Sequence, residues 1–518
     1  VTRRDEARAA DAYARGLWVS TTLADALADA ARETPDRVLV VDGDTALTAR
    51  ELHDRARGLA TLLTEWMPAG SVVSFMLPNW HEAAIIYLGA TLAGMVVNPI
   101  LPSLRDRELC FILDDANSRA IFIPAEFGGH DYAAMLTRVV GQMATPPQVV
   151  VLRGDPGLHH AFDALPAASD RDLPALDPDA IRMIMYTSGT TGRPKGVLHS
   201  HNSIHALISQ LRDHWMIDPG DTFLVPSPIA HIGGSIYAFE CPLLLGSTAV
   251  LMERWNAADG VTLMTERRCT HMAGATPFLE QLLSAAERAD TRLPDLKVFI
   301  CGGASVPPSL IRRASDYFDR AVVSRVYGST EVPVTTVGSL APGGVEHAAE
   351  TDGCPGIAEI RLVDGEIRAR GPQMLLGYLH PEDEIESFDE NGFFRTGDLG
   401  RWVDGGYLQV TGRAKDLIIR NGENISPKEV EDLLVGQLGI VEAAVVGVPD
   451  ARTGERACAV LVTVDASRPD VADLGRLLAD RGLARFKTPE RVEIWDALPK
   501  NDAGKVLKHQ IRARLKGD

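Results

Sequence analysis

The chain has 518 residues, 45% of them hydrophobic and 24% charged, which is room for more than one globular unit and an ordinary composition for a soluble one. Its formal net charge of −18, with no long basic block, argues against a nucleic-acid groove or an anionic membrane surface as the main partner; a few local cations can still hold a phosphorylated small molecule. The cysteines Cys110, Cys241, Cys269, Cys301, Cys354 and Cys458 are scattered and none has C-x-x-C spacing, so they read as free thiols of a reducing cytoplasm and not as a disulfide or zinc framework.

Charges recur from Arg3 through Asp11 and Arg15 with no apolar run behind them, so no signal peptide is expected there. Thr48 and Glu51 have capping-box spacing, and Leu52, Ala56, Leu59 and Leu63 then share one helical face. Residues 72–77 are a short apolar run closed by Pro78-Asn79, the pattern of a buried strand and its turn. The apolar stretch 83–97 is too short for a membrane span, contains Gly89 and Gly94, and runs into Asn98-Pro99; it predicts a buried helix entering a buried strand. Such alternation predicts mainly parallel sheets with helices on their faces.

Residues 153–180, rich in Asp, Pro and Ala, read as a surface connection. Beyond Gly353 short strands at 359–363, 366–369 and 407–410 alternate with Asp364-Gly365 and Asp404-Gly405-Gly406, which predicts a small antiparallel, barrel-like sheet. A second compact unit begins near Lys415. Its first helix is predicted over 427–434, with Ser426 as N-cap and Pro427 at the first position. Strands at 441–448 and 457–464 are predicted to pair around a Pro449-Asp450 turn.

The most informative segment is Tyr186-Thr187-Ser188-Gly189-Thr190-Thr191-Gly192-Arg193-Pro194-Lys195-Gly196, behind a predicted strand over 181–185. Hydroxyls and glycines after a strand offer N–H and O–H donors without bulk, which suits a polyphosphate, and Lys195 adds charge. Composition alone fits a flexible surface loop as well. A Walker A loop is ruled out: Pro194 stands where its second glycine belongs, and Gly196 follows the lysine in place of Ser or Thr.

The string resembles the signature of the adenylate-forming superfamily, which includes acyl-CoA synthetases, the adenylation domains of peptide synthetases and beetle luciferases. Further matches follow in the family's order: Val326-Tyr327-Gly328-Ser329-Thr330-Glu331, Phe394-Arg395-Thr396-Gly397-Asp398, Gly412-Arg413-Ala414-Lys415-Asp416, Gly422-Glu423-Asn424-Ile425 and Pro499-Lys500-Asn501-Asp502-Ala503-Gly504-Lys505. The resemblance covers essentially the whole chain and implies an α/β fold. A large N-terminal domain, residues 1–414, would hold two α/β subdomains and the small β-barrel-like one; a smaller, mobile α+β domain, residues 415–518, would carry a catalytic lysine.

The implied chemistry is attack by a carboxylate on the α-phosphorus of ATP with Mg²⁺, then transfer of the acyl group to coenzyme A. A carboxylate is already a nucleophile, so the protein must place reactants and neutralise phosphate charge; no general base is needed. By resemblance, Thr187, Ser188, Gly189, Thr190, Thr191 and Lys195 hold the β- and γ-phosphates, and Gly302, Gly303 and Ala304 line the nucleotide site. Tyr327, in a loop with Gly328 and Ser329, stacks on adenine; Thr330 contacts the α-phosphate; Glu331 helps hold Mg²⁺, which prefers oxygen ligands. Asp398 accepts from the ribose hydroxyls, and Arg413 meets ribose or phosphate. Lys505 bridges the carboxylate and the α-phosphate. Lys415 is the hinge of a swing that brings Gly422 to the site, where it forms a pantetheine channel; Asn421 stands where the family has a first glycine. Outside these motifs Glu331, Asp398 and Lys505 would read as surface or turn charges.

His199, His201 and His205 lie close enough to suggest a metal site, but by resemblance they are structural. His231 matches the aromatic position that shapes the acid pocket, with Ile232, Gly233, Gly274 and Ala275 along its wall. No Asp that would pair with an amino acid's ammonium appears before Glu240, and the Asn of dihydroxybenzoate-type ligases is absent after His231. The wall therefore reads as apolar and small, fit for an alicyclic, aromatic or medium-chain monocarboxylate. With no carrier domain attached, CoA is the expected acceptor, and a carrier protein in trans is the alternative. A non-catalytic nucleotide-binding homologue is the reading of a different class, against which Lys505, Glu331 and Asp398 speak. A homodimer is left open.

Overall fold

The computed structural model describes residues 5–164, 172–187, 193–303, 306–340, 344–450, 452–464, 467–501 and 504–516. Two large sheets and their helices form the body. The first has seven strands in the order Val322–Arg325, Val298–Cys301, His271–Gly274, Thr222–Val225, Thr248–Leu251, Val38–Asp42 and Thr45–Thr48. All neighbours are parallel except the last two, which make an antiparallel hairpin. The second has eight: Gly377–Tyr378, Lys195–Ser200, Ile181–Thr187, Val96–Pro99, Val72–Phe75, Ser118–Pro124, Gln148–Leu152 and His160–Ala161.

Short apolar strands buried on both faces need helices on both sides. Helix His81–Leu92 meets that need and is buried almost along its whole length. It packs on helix Ala49–Trp66 at Gly89, where a Cβ would lie 3.0 Å from the Ala56 carbonyl and from Leu59. The predicted capping box starts that partner helix: Glu51 N donates to Thr48 Oγ1 at 3.3 Å, and Thr48 N donates to Glu51 Oε2 at 2.9 Å. Among the described residues no helix is long and apolar enough to cross a membrane.

The predicted connection at 153–180 is more ordered than its composition implies. Strand His160–Ala161 pairs in parallel with Gln148–Leu152, and Phe162 packs edge-on against Phe122. Residues 165–171 of it lie outside the described residues.

The small third sheet is antiparallel, in the order Glu359–Val363, Glu366–Arg370, Phe394–Val403 and Tyr407–Arg413. The C-terminal unit has its own sheet, Glu423–Ile425, Ile418–Arg420, Gly454–Thr463 and Ile440–Asp450, with Arg491–Ile494 parallel to Gly454–Thr463. Helices Pro427–Leu434 and Val471–Asp480 cover one face through Val430, Leu434, Leu474 and Leu478. Ile511 and Leu515 of helix Lys508–Lys516 cover the other.

Two local expectations need correction. The strand runs on through Pro449-Asp450 and pairs as far as Asp450 opposite Gly454, because Asp450 Oδ1 accepts from Arg452 N and Thr453 N and folds the chain after itself. Ser426 does occupy the N-cap, but its hydroxyl donates to the Thr411 carbonyl and caps nothing.

Candidate active site

The motif loops leave the C-terminal ends of parallel strands, the side on which open α/β sheets bind ligands. Thr222–Val225 leads to His231, His271–Gly274 to Ala275, Val298–Cys301 to Gly302 and Gly303, and Val322–Arg325 to Tyr327. In the other sheet, Ile181–Thr187 ends at the start of the phosphate loop. Ser188, Gly189, Thr190, Thr191 and Ala304 lie outside the described residues.

The loop from Tyr327 to Glu331 is held from several directions. Tyr327 N donates to Thr336 Oγ1 at 2.8 Å, and Thr336 N returns a bond to Tyr327 O at 3.0 Å. Ser329 N donates to Val332 O, and Val332 N to Ser329 Oγ, each at 3.2 Å. Gly328 is demanded by crowding, since a Cβ there would stand 2.6 Å from Val334 N. The Tyr327 hydroxyl donates to Asp398 Oδ2 at 2.8 Å, while Arg413 Nε pairs with Asp398 Oδ1 at 2.7 Å. Asp398 and Arg413 reach each other because they are cross-strand partners in the third sheet. Burial, with the Asp398 charge beside it, keeps the Tyr327 phenol protonated far above its usual range, so it is a fixed donor. Each Asp398 oxygen still has lone-pair capacity for a further donor.

Lys505 arrives from the other unit on a tight hairpin. Lys500 and Val506 bridge, Asn501 N donates to Lys505 O at 3.0 Å, and Lys505 N donates to Asn501 Oδ1 at 2.8 Å. Gly504, at φ +77°, lets the hairpin seat on the N-terminal unit: a Cβ there would lie 3.1 Å from Pro277 Cγ and 3.7 Å from Ala275 Cβ. Lys505 is thereby half-buried. That burial, then the nearby Arg413 cation, lowers its ammonium to about 8, against the opposing pull of Asp398. The structure thus gathers Lys505, Asp398, Arg413, Tyr327 and Ala275 in one place. Lys415 lies in the 3-10 turn Ala414–Asp416 next to this group. Gly422 is outside it, exposed at the tip of the hairpin Ile418–Ile425 with φ +82°.

On the phosphate side, Lys195 Nζ lies 5.1 Å from the centre of the Tyr378 ring and 3.7 Å from Asp383 Oδ1. The Tyr378 hydroxyl donates to Glu331 Oε1 at 3.0 Å. Glu331, half-buried and hydrogen-bonded by the same Tyr378 whose ring Lys195 overlies, offers the kind of oxygen ligand that suits Mg²⁺.

The acid side is built differently. Asn79, read from sequence only as a turn residue, is buried and pins the segment ahead of His231. Its Nδ2 donates to Val225 O at 3.0 Å and Ser227 O at 2.9 Å, and its Oδ1 accepts from Ile229 N at 3.1 Å. His231 stands at the N-cap position of the short helix Ile232–Ser235, without a side-chain cap bond to it. Gly234 is pressed on the backbone, with a Cβ position 2.2 Å from Pro228 O, whereas at Gly233 nothing comes within 4 Å. A Cβ at Gly274 would touch the Phe278 ring at 3.0 Å.

His201 and His205 serve the N-terminal segment: His201 Nδ1 accepts from Leu23 N at 3.3 Å, and His205 Nδ1 donates to Leu17 O at 2.9 Å. Burial pulls the His201 pKa down to about 2, so it stays neutral. Among the described residues the grouping with metal-ligand spacing is Asp42, His81 and Glu82, and Arg153 already pairs with both carboxylates at 2.7 Å. All six cysteines are free thiols. Sequence reasoning named Asn79 only as a turn residue and His199 only as structural, and missed Thr336 and Tyr378; of the last two, Tyr378, a lone aromatic in the turn-rich stretch Gly377-Tyr378-Leu379-His380-Pro381, carries a local signal.

Two family models match the chain: one described as AMP-binding enzyme over residues 27–379, and one described as AMP-binding enzyme C-terminal domain over residues 429–505. The chain belongs to the AMP-binding enzyme family. It is an acid–thiol ligase: a carboxylate and ATP give acyl-AMP and pyrophosphate, and the CoA thiol then gives acyl-CoA and AMP. ATP and Mg²⁺ serve the first step and CoA is co-substrate in the second. The medium-chain fatty-acid–CoA ligase of Escherichia coli (strain K12) is 32% identical over 98% of this chain and 93% of its own. A ligase of Rhodococcus jostii (strain RHA1), named for joining CoA to a methyl-dioxo-octahydroindenyl propanoyl group, is 34% identical over 96% of this chain and 99% of its own. MatB of Rhodopseudomonas palustris, 27% identical, covers 96% of this chain and 99% of its own in both of two crystal structures, with a TM-score of 0.83 when ATP-bound and 0.75 when apo.

Proposed function

We propose that this AMP-binding enzyme activates a hydrophobic monocarboxylate of alicyclic, aromatic or medium-chain type, and that residues 1–414 bind acid and nucleotide while residues 415–518 bring Lys505 to them. The observation that carries the reading is the seat of the Lys505 hairpin on Ala275 and Pro277, in the field of Asp398 and Arg413. Acid wall, ribose-side carboxylate and mobile lysine meet there. The higher match to ATP-bound than to apo MatB supports reading this arrangement as the adenylation pose.

In that pose Thr187 and Lys195, with Ser188, Gly189, Thr190 and Thr191, hold the β- and γ-phosphates, and Gly302 to Ala304 and Tyr327 hold adenine. Asp398 and Arg413 take the ribose, Thr330 meets the α-phosphate, and Glu331 would hold Mg²⁺, which supplies charge neutralisation on the phosphates. Lys505 orients the acid's carboxylate oxygen toward the α-phosphorus; the new P–O bond forms as the bond to pyrophosphate breaks. A swing at Lys415 then removes Lys505 and brings Gly422 forward. The CoA sulfur bonds to the acyl carbon, the bond to AMP breaks, and the thiol proton is lost to solvent. The small, apolar wall at Gly233, Gly274 and Ala275, together with relatives named for medium-chain and alicyclic propanoyl acids, supports the substrate class. Free thiols throughout suit a reducing, CoA-containing cytoplasm.

The test is a panel of acids in a pyrophosphate-release assay with CoA present and mass spectrometry of the products. Acyl-CoA from alicyclic, aromatic or medium-chain acids is expected. Preference for an amino acid, or acyl-AMP that never reaches CoA, would refute the reading.

A further inference from the structure

We propose that Tyr378 and His199 are positioning residues: hung on two paired strands, they clamp Thr330 and Glu331 from the phosphate side and set the geometry in which those residues meet the nucleotide and its metal. The proposal rests on the reading of Glu331 as the metal-side carboxylate.

The argument starts from the pairing. Strand Lys195–Ser200 leaves the phosphate loop and pairs antiparallel with the two-residue strand Gly377–Tyr378, Val197 opposite Tyr378 and Leu198 opposite Gly377. Lys195 and His199 therefore ride on the strand next to Tyr378; His199 and Tyr378 both reach one loop, and Lys195 lies over the Tyr378 ring. From one side, His199 Nε2 lies 2.7 Å from the Thr330 carbonyl. A carbonyl can only accept, so the proton is on Nε2, and Nδ1, 3.1 Å from Ser203 Oγ, is the acceptor. The side chain is fully buried, and burial lowers its pKa to about 4, so this tautomer persists through the working pH range.

From the other side, the Tyr378 hydroxyl reaches Glu331 Oε1, and Leu375 N, three residues earlier, donates to the Glu331 carbonyl at 2.7 Å. Tyr378 is buried at 3% exposure, and burial beside Glu331 keeps its phenol protonated. A donor fixed on one carboxylate oxygen of Glu331 aims the other, while the Tyr378 ring face carries the Lys195 cation that would meet the phosphates. One phenol thus joins the phosphate cation to the metal-side carboxylate.

Tyr378→Phe keeps the ring and deletes the hydroxyl. The Mg²⁺ concentration that half-saturates adenylation is expected to rise about ten-fold, the worth of a hydrogen bond to a charged group. Calorimetric binding of Mg·ATP should weaken by a similar factor, with the acid's KM and the melting temperature unchanged. In a Glu331→Gln background the same substitution should change Mg²⁺ dependence less than two-fold, because the two act through one contact. His199→Leu should lower kcat for adenylation about ten-fold, and His199→Gln, which can still donate to the Thr330 carbonyl, should recover most of it.

Additive losses in the double variant, or a His199→Gln as poor as His199→Leu, would overturn the clamp, as would a Tyr378→Phe whose only effect is a lower melting temperature. If Glu331→Gln alone leaves Mg²⁺ dependence intact, the assignment of Glu331 falls instead, and the two failures are told apart.

Discussion

The proposed nucleotide half of the site and its proposed acid half are built on opposite principles. Around the nucleotide, charged and hydroxylated side chains hold one another before any ligand enters: Tyr327 and Arg413 on Asp398, Tyr378 on Glu331, His199 on the Thr330 carbonyl. Around the proposed acid pocket, the wall positions beyond His231 and Ile232 are glycines and an alanine, and polar fixing comes from behind, from Asn79 on the backbone at 225–229 and from Ser227 Oγ on the Ala273 carbonyl. The first half is preorganised electrostatics, whose donors are worth most when already aimed. The second is a volume, which discriminates through a few methylenes at a time. On that reading Lys505 belongs to both, since its hairpin rests on Ala275 and Pro277 while its charge lies in the field of Asp398 and Arg413.

The most damaging substitution should therefore be at that junction. Lys505→Ala is expected to lower the adenylation half-reaction about a thousand-fold, at the upper end of what one oriented charge supplies. Thioester formation from supplied acyl-AMP should stay within a few-fold, because in the proposed two-pose cycle Lys505 is out of the site for that step. Both halves can be timed separately by quench flow, and equal loss in both would break the two-pose account. Within the proposed nucleotide half, Asp398→Ala strands Arg413 and Tyr327 as well as removing the proposed ribose acceptor. It should raise the KM for ATP about a hundred-fold, the order expected when a charge-assisted pair loses one member, with the acid's KM nearly unchanged in pyrophosphate exchange.

The same contrast explains how much could be read from sequence. The nucleotide half is written in residue types that have few other uses in those strings, so Asp398, Arg413 and Lys505 could be named before their contacts were known. Sheet class was legible for a related reason: apolar runs such as 72–77 and turn strings such as Asp404-Gly405-Gly406 state their periodicity locally. Long-range partners were not legible. Asn79 looks like any Asn after a Pro, and what makes it a brace is the carbonyls of Val225 and Ser227, some 150 residues away. His199 could be seen but not assigned, because its role is a backbone carbonyl 131 positions later. Ser426 shows the converse: its N-cap position was legible, and the Thr411 carbonyl that diverts its hydroxyl was not. The acid is the least legible of all, since it is encoded by absent side chains.

Filling one of those absences sharpens the contrast. Gly233→Val adds a branched side chain where a Cβ meets nothing within 4 Å, so it should be tolerated by the fold and intrude on the acid. The expected result is a loss of roughly ten- to a hundred-fold in kcat/KM for bulky cyclic acids, with short acids and the KM for ATP little affected. Gly234→Val, pressed against Pro228 O, should instead cost stability and be visible as a lower melting temperature.

The smallest expected effect is the most diagnostic of the junction. Lys505 in the docked hairpin has its pKa lowered from 10.5 to about 8, chiefly by burial and then by Arg413. The docked pose therefore binds fewer protons than the undocked one between those two values, so docking strengthens as pH rises from 8 to 10.5. The cation to which we assign the chemistry disappears over the same window; at pH 9 only about one docked lysine in ten still carries its proton. Docking and activity should then move in opposite directions: protection of the 500–506 hairpin from proteolysis rises above pH 8 while kcat/KM for adenylation falls about five-fold between pH 8 and 9. Saturating ATP puts the triphosphate beside the ammonium and should push the descending limb upward in the kcat profile, and Lys505→Arg, which does not titrate in this range, should erase it from both. A limb that stays put in Lys505→Arg would assign it to another group and unlink the acid wall from the nucleotide charge.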